Sequence, residues 1–228
     1  MTNTLELNNI SCSGLLVEGL SKSWREHQVF TGISFCQPLG TVYGVSGDNG
    51  AGKSTLLKIL ASVLAPDSGT ISFNGVSIKD LPTWRSLIGY VPQELALDGQ
   101  LTVRENVKFW SALRGLDADI IRGNLEVAAN DPLVADFLDK QIRKCSGGMA
   151  RRASLVVGLL GAPQLLLLDE PFAGADKGSR ALMLERLDAL RAGGSTILIT
   201  SHDQGTLEQI SDHILYLHQG QIVDQDRA

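Results

Sequence analysis

Positive charge is in short supply. The 228 residues carry 20 Lys and Arg against 25 Asp and Glu, a net charge of −5. Without a basic surplus to neutralise a phosphate backbone, nucleic acid is not an expected partner. Cysteine is scarce as well: Cys12, Cys36 and Cys145 are odd in number and far apart, with neither a C-x-x-C pair nor a Cys/His metal spacing. That pattern predicts Cys12 and Cys36 as small buried hydrophobes, a state suited to a reducing cytoplasm. Long apolar runs are missing too. The longest uncharged stretch, Ala153 to Leu168, is interrupted by Gly158, Gly161, Pro163 and Gln164. It falls short of the roughly 20 residues of a membrane span and reads as a buried helix, a turn and a buried strand. Met1 to Glu18 contains no basic residue, which excludes a secretory signal. No internal repeat or low-complexity segment is present.

Hydrophobic residues make up 43% of the chain, enough for a substantial core in one domain with room for an inserted lobe. The opening is strand-rich, with Gly14–Glu18, Val29–Cys36 and Thr41–Ser46. Asn74-Gly75 predicts a hairpin between Thr70–Phe73 and Val76–Ile78, and Leu87–Val91 is another short strand ended by Pro92. Between Gln93 and Lys144 the pattern changes to helical spacing, with Val103, Val107, Trp110 and Leu113 on one face. A second helix is expected over Ala118–Ala129 and a third opening at Pro132. Strand–helix alternation then resumes: a helix from Gly147 to about Gly161, strand Leu165–Leu168, helix Lys177–Ala192, strand Thr196–Thr200, a short helix near Thr206–Ile210, and a hairpin of His213–His218 with Gln221–Asp224. Such alternation implies a mostly parallel sheet covered by helices. The expected fold is α/β, with residues 1–91 plus 153–228 forming the core and residues 92–152 an inserted helical lobe.

The strongest chemical signal is Gly47-Asp48-Asn49-Gly50-Ala51-Gly52-Lys53-Ser54-Thr55. It matches the P-loop pattern G-x-x-x-x-G-K-[ST], follows the β-rich run Thr41–Ser46, and leads into Leu56, Ile59, Leu60 and Val63 at helical spacing. Glycines allow successive N–H groups to turn inward onto phosphate oxygens, and the following helix adds its partly positive end. Lys53 supplies an ammonium for the β- and γ-phosphates, and the Ser54 hydroxyl a ligand for Mg2+. Leu165–Leu168 ends in a second signal, Asp169-Glu170. Parallel sheets carry ligand chemistry at the carboxyl ends of their strands. Asp169 there suits the metal's shell, and Glu170 suits orienting the water that attacks the γ-phosphate.

With these two motifs in hand, the chain resembles the ATP-binding subunit of ABC transporters over almost its whole length. Cys145-Ser146-Gly147-Gly148-Met149-Ala150-Arg151-Arg152 is similar to that family's signature motif, usually Leu-Ser-Gly-Gly-Gln. The resemblance implies a P-loop NTPase core with an antiparallel β subdomain and a head-to-tail dimer. Both half-sites occur in this one chain, so a homodimer can hold two competent sites, and pairing with a different ATPase subunit is the other possibility. In it, each ATP lies between one subunit's P-loop and the other's Ser146, Gly147 and Gly148. It further implies that Gln93 joins core to lobe and touches Mg2+, that His202 contacts the γ-phosphate, and that Trp24 stacks on adenine, a contact worth about 1–3 kcal/mol. Asp176 matches the aspartate that reaches across the dimer. Cys145 and Met149 replace the usual Leu and Gln, and methionine cannot make the amide's hydrogen bonds. At a helix N-terminus the Cys145 thiol is either acidified or buried and inert. Ala173-Gly174-Ala175-Asp176 departs from the usual Ser-Ala-Leu-Asp.

The expected function is ATP hydrolysis driving a separate integral membrane permease, with the subunit cytoplasmic and peripheral on the membrane's inner face. Leu101–Trp110 and Gly148–Arg152 resemble bacterial exporters with separate ATPase subunits. The other possibility is a soluble ABC-type ATPase without transport. A GTPase switch is excluded by the lack of an Asn-Lys-x-Asp guanine reader.

Overall fold

The computed structural model describes residues 12–25 and 27–223. The N-terminal stretch read as lacking a signal lies mostly outside them, as does Asp224. Two long antiparallel strands, β1 (Gly14–Trp24) and β2 (His27–Pro38), join β4 (Ser68–Phe73) and β5 (Val76–Ser77) in a sheet ordered β2-β1-β4-β5. Asn74 and Gly75 both take left-handed backbone at the hairpin turn, as that dipeptide demands.

The second sheet runs β10-β9-β3-β8-β7-β6, comprising β3 (Val42–Ser46), β6 (Ile88–Val91), β7 (Leu165–Asp169), β8 (Thr196–Thr200), β9 (His213–His218) and β10 (Gln221–Val223). Every neighbouring pair in it is parallel except β9 with β10. The four leucines of β7 alternate between faces. Leu165 and Leu167 pack with Leu56, Ile59 and Phe73, whereas Leu166 and Leu168 pack with Val107, Leu155 and Met183. All four are fully buried. At about 1.5–3 kcal/mol for each such side chain, this strand anchors both layers.

Helix α1 (Lys53–Leu60) lies between the two sheets, and Trp84 of α2 (Leu81–Leu87) closes that layer, donating its indole N–H to the Leu60 carbonyl at 2.8 Å. The sequence reading did not foresee α2. Its seven residues are too few to show periodicity, but Asp80 caps it and Pro82 sits in its first turn, the local signature of a start. The other layer holds α3 (Val103–Leu113), α4 (Ala118–Asn130), α5 (Gly147–Gly158), α6 (Lys177–Ala192) and α7 (Gln204–Ile210). Thr102 and Glu105 form a reciprocal capping box at the start of α3.

Two expectations fail here. Pro132 does not open an α-helix. The Asp131 carboxylate accepts from Leu133 N–H at 2.9 Å and turns the chain, so Leu133, Val134, Phe137 and Leu138 are buried without an α-helix; only a 3-10 turn, Ala135–Phe137, forms. Nor are Cys12 and Cys36 separate buried thiols. They form a disulfide, with Cα atoms 6.1 Å apart, and both are half-buried. Antiparallel pairing sets Gly14 opposite Pro38, so residues 24 apart in sequence meet beside the β1–β2 ladder.

The bond closes nearly the whole β1–β2 hairpin, and a cross-link of that span contributes about 2–4 kcal/mol. Reduction, or Cys36→Ser, is expected to lower the melting temperature by about 5–10 °C. Scanning calorimetry with and without reductant, alongside thiol alkylation under non-reducing conditions, checks this. Equal melting temperatures with Cys12 and Cys36 both alkylated before reduction would refute it.

Candidate nucleotide site

Register along the parallel sheet brings the site together. Val45 near the end of β3 pairs with Thr200, and Asp169 at the end of β7 pairs with the same residue, so three strands finish along one edge. The loop 47–52 leaves β3 at this edge and runs into α1. Gly52 has a φ of +105°, and a side chain there would strike Val29 and Phe30 of β2, so only glycine fits. The Lys53 ammonium folds back on its own loop, donating to the Gly47 carbonyl at 2.7 Å and the Asp48 carbonyl at 3.1 Å. Asp48 is otherwise solvent-facing, with its carboxylate 3.7 Å from His218 Nδ1.

A cavity of about 400 Å3 opens on this loop. Asn49, Gly50, Gly52, Lys53, Ser54 and Thr55 form one wall; Gln93, Glu170 and His202 form the other. Four separate parts of the sequence, the P-loop, Gln93, Glu170 and His202, therefore face one space. Gly47 and Ala51 support the loop without lining the cavity: Ala51 N–H donates to the Asp48 carbonyl at 3.1 Å. Trp24 does not line it either. Its ring is half exposed, with the Lys22 ammonium 5.2 Å from its centre. Ser146, Gly147 and Gly148 lie elsewhere, at the start of α5. Ser146 caps that helix by accepting from Met149 N–H at 3.2 Å, and Ser146 and Gly147 face solvent. Gly148 is buried, because a side chain there would collide with Asp176 and Ser179.

Asp176 is occupied within its own chain. It caps α6, accepting from Ser179 N–H at 2.8 Å and the Ser179 hydroxyl at 2.9 Å. Of the two states open to Cys145, burial decides: it pushes the thiol up, against the opposing pull of Lys140 and Arg152.

Asp169 is buried and accepts two hydroxyl bonds on Oδ1, from Ser54 at 3.0 Å and from Thr200 at 2.9 Å. Its Oδ2 is buried without a partner. A buried carboxylate oxygen left open beside a serine hydroxyl fits a hard divalent cation. Among the described residues no cluster of three or more His, Cys, Asp or Glu has metal-binding geometry. Mg2+ requires no such cluster, since one carboxylate, one hydroxyl and phosphate oxygens can complete its shell with water. Ser54, Asp169 and the Gln93 amide oxygen are the groups suited to it.

Glu170 takes left-handed backbone, φ +49°. Its Oε2 accepts from His202 N–H at 3.1 Å, and its Oε1 lies 3.3 Å from His202 Nε2, near but not aligned for a hydrogen bond. Burial raises its pKa above the ordinary carboxyl value, against the His202 N–H and the positive charges of His202 and Lys53; Asp169 adds to the rise. The folded state thus retains a proton the unfolded chain has released, and stability is lost as pH climbs from the ordinary glutamate value through the raised one. Glu170→Gln, neutral throughout, is expected to melt above the parent at about pH 8 and to lose that lead below about pH 4. Differential scanning fluorimetry across this range tests it; a gap independent of pH would refute the assignment.

Comparison with known proteins agrees with this geometry. The family model described as ABC transporter matches residues 30–173. The Nod factor export ATP-binding protein I of Ralstonia nicotianae is 36% identical over 214 residues, 93% of this chain and 67% of that protein. The daunorubicin resistance ATP-binding protein DrrA3 of Streptomyces coeruleorubidus is 33% identical, over 95% of this chain and 69% of its own length. The chain thus spans about two thirds of the length of these relatives. Among solved structures, one titled as an ATP binding subunit of an ABC transporter superposes with a TM-score of 0.82 at 29% identity, covering 92% of this chain and 88% of its own. With a P-loop, a metal-suited carboxylate, a glutamate and a histidine all meeting at one sheet edge, the chain belongs to the ABC transporter family, as an ATP-hydrolysing subunit.

Proposed function

We propose that this subunit closes as a head-to-tail dimer around two Mg-ATP and drives export through a separate membrane permease. The observation that carries the reading is the separation of two anion-ready sites in one chain. The P-loop cavity holds the reactive groups, while Ser146 and Gly147 lie exposed at the start of a 12-residue helix outside that cavity. A helix N-terminus with free N–H groups suits a phosphate, and only a second copy's nucleotide would meet it.

In the proposed chemistry, the loop N–H groups and the Lys53 ammonium hold the β- and γ-phosphates. Ser54, Asp169 and Gln93 would hold Mg2+, which would supply positive charge to the phosphate oxygens. The Glu170 carboxylate orients a water and accepts its proton as the water oxygen bonds to the γ-phosphorus and the bond to the β-phosphate oxygen breaks. His202 stands beside the γ-phosphate oxygens, tied to Glu170 through its own N–H. Trp24 stacks on the adenine from the hairpin end of β1.

The permease contact is supported by a second groove of about 790 Å3, between the core and residues 92–152, taken as the helical lobe. Tyr90, Pro92, Leu97, Trp110 and Leu113 are among its walls. Gln93, the next residue along, faces the nucleotide cavity. A cytoplasmic segment of the permease seated there would feel any movement of this strip. No helix among the described residues is long and apolar enough to cross a membrane. Export is favoured over import because relatives are named for Nod factor export and for daunorubicin and linearmycin resistance. None of those names describes a soluble factor, so the non-transport alternative gains no support.

Lys53→Ala is expected to reduce ATP turnover by at least about a hundredfold, and Glu170→Gln to do the same while retaining ATP and forming an ATP-dependent dimer. Phosphate-release assays and light scattering read the two effects. Tagged Glu170→Gln protein purified from membranes with ATP is expected to bring a polytopic protein with it. Unchanged turnover in Lys53→Ala, or a Glu170→Gln protein that stays monomeric with ATP, would overturn the reading.

A further inference from the structure

Thr200 was read from the sequence only as the last residue of a strand, yet its side chain is fully buried between both acidic residues of the site. The hydroxyl accepts from Glu170 N–H at 2.9 Å and donates to Asp169 Oδ1 at 2.9 Å. One oxygen therefore fixes two things. Its donated proton, with that of Ser54, occupies Asp169 Oδ1 and leaves Oδ2 as the open metal-facing oxygen. Its lone pair takes the Glu170 N–H at the point where the backbone turns left-handed, so this amide is satisfied by a side chain rather than by a strand partner.

We propose that Thr200 is the positioning residue of this site, locking the rotation of the Asp169 carboxylate to the backbone turn that aims Glu170. The inference rests on the proposed function for its consequence but not for its geometry. Thr200 is fully buried and does not line the nucleotide cavity; it acts through the two carboxylates. Because it ends the strand from which the chain runs on into Ser201 and His202, it also ties the backbone leading to the histidine to the Asp169 carboxylate. A displacement of this strand would disturb Asp169, Glu170 and His202 together.

The discriminating comparison is Thr200→Val, which keeps the shape and removes the hydroxyl, against Thr200→Ser, which keeps the hydroxyl and removes the methyl. Hydrogen exchange by mass spectrometry, with no nucleotide present, reads the Glu170 amide directly; it is expected to exchange at least about tenfold faster in Thr200→Val and near the parental rate in Thr200→Ser. In the second arm, a fluorescent ATP analogue is titrated with and without Mg2+. Thr200→Val is expected to bind the analogue alone as the parent does, to lose about 10–100-fold of the Mg2+ requirement's affinity and of kcat, and Thr200→Ser to recover both to within about threefold. Unchanged exchange at Glu170 in Thr200→Val would overturn the proposal, and so would a Thr200→Ser protein as impaired as Thr200→Val. Should Thr200→Val not fold, Thr200→Cys takes its place, since a thiol is a weak partner for both bonds; the expected order is then parent, Ser, Cys. A parent protein that binds no nucleotide would instead remove the proposed function, while the exchange arm still decides whether Thr200 holds the turn.

Discussion

The geometry of the nucleotide end depends on one buried carboxylate. Asp169 closes β7 deep in the sheet, where an unpaired charge is costly, and two hydroxyls from different elements meet it. Ser54 comes from the helix after the P-loop and Thr200 from the neighbouring strand. Removing Asp169 would therefore cut three elements loose from one another. Its open oxygen is the position that the proposed Mg2+ would satisfy. Sites of this kind give up local stability where function requires it, and the raised Glu170 carboxyl beside it is a second instance.

The rigidity that this arrangement needs comes from the layers behind it. Helix α1 is wedged between the two sheets, with Leu56, Leu57, Ile59 and Leu60 all buried, so the loop feeding it cannot drift. The antiparallel sheet also presses Val29 and Phe30 against the backbone at Gly52, which leaves no room for a side chain there. The phosphate loop is thus gripped from behind by apolar packing while its front stays polar. The disulfide at Cys12 and Cys36 reinforces the sheet that does the gripping.

Most of the fold was legible because its signals are contiguous. The P-loop glycines, the apolar run before Asp169 and the Asn74-Gly75 turn each carry their meaning within a few residues. Lys177–Ala192 was read to the residue, since a capping aspartate precedes it and Gly193-Gly194 ends it. What escaped depends on register between distant segments. Cys12 and Cys36 meet through a β1–β2 ladder with three register shifts, which no spacing rule reproduces. Thr200 looked like any β-branched strand residue, and only its pairing with Asp169 gives its hydroxyl a purpose. The residues after Pro132 misled for a different reason: their apolar density resembled a helix face, but Asp131 captured the first N–H and turned the chain instead.

How nucleotide state would reach a membrane partner can be argued from chain continuity alone. Strand β6 ends at Val91, Pro92 stands in the apolar groove, and Gln93 stands in the nucleotide cavity. Adjacent residues on a short, proline-stiffened strip cannot move independently. A ligand shifts a conformational equilibrium only by the difference in its affinity for the two states. In the proposed cycle that difference arises because a second copy's Ser146 and Gly147 reach the γ-phosphate only when the dimer is closed. Gln93 then senses the triphosphate on one side while Pro92 and its neighbours bear on the partner's segment on the other. Coupling of this form is reciprocal, so a partner seated in the groove must change the affinity for nucleotide by the same factor that nucleotide changes the affinity for the partner.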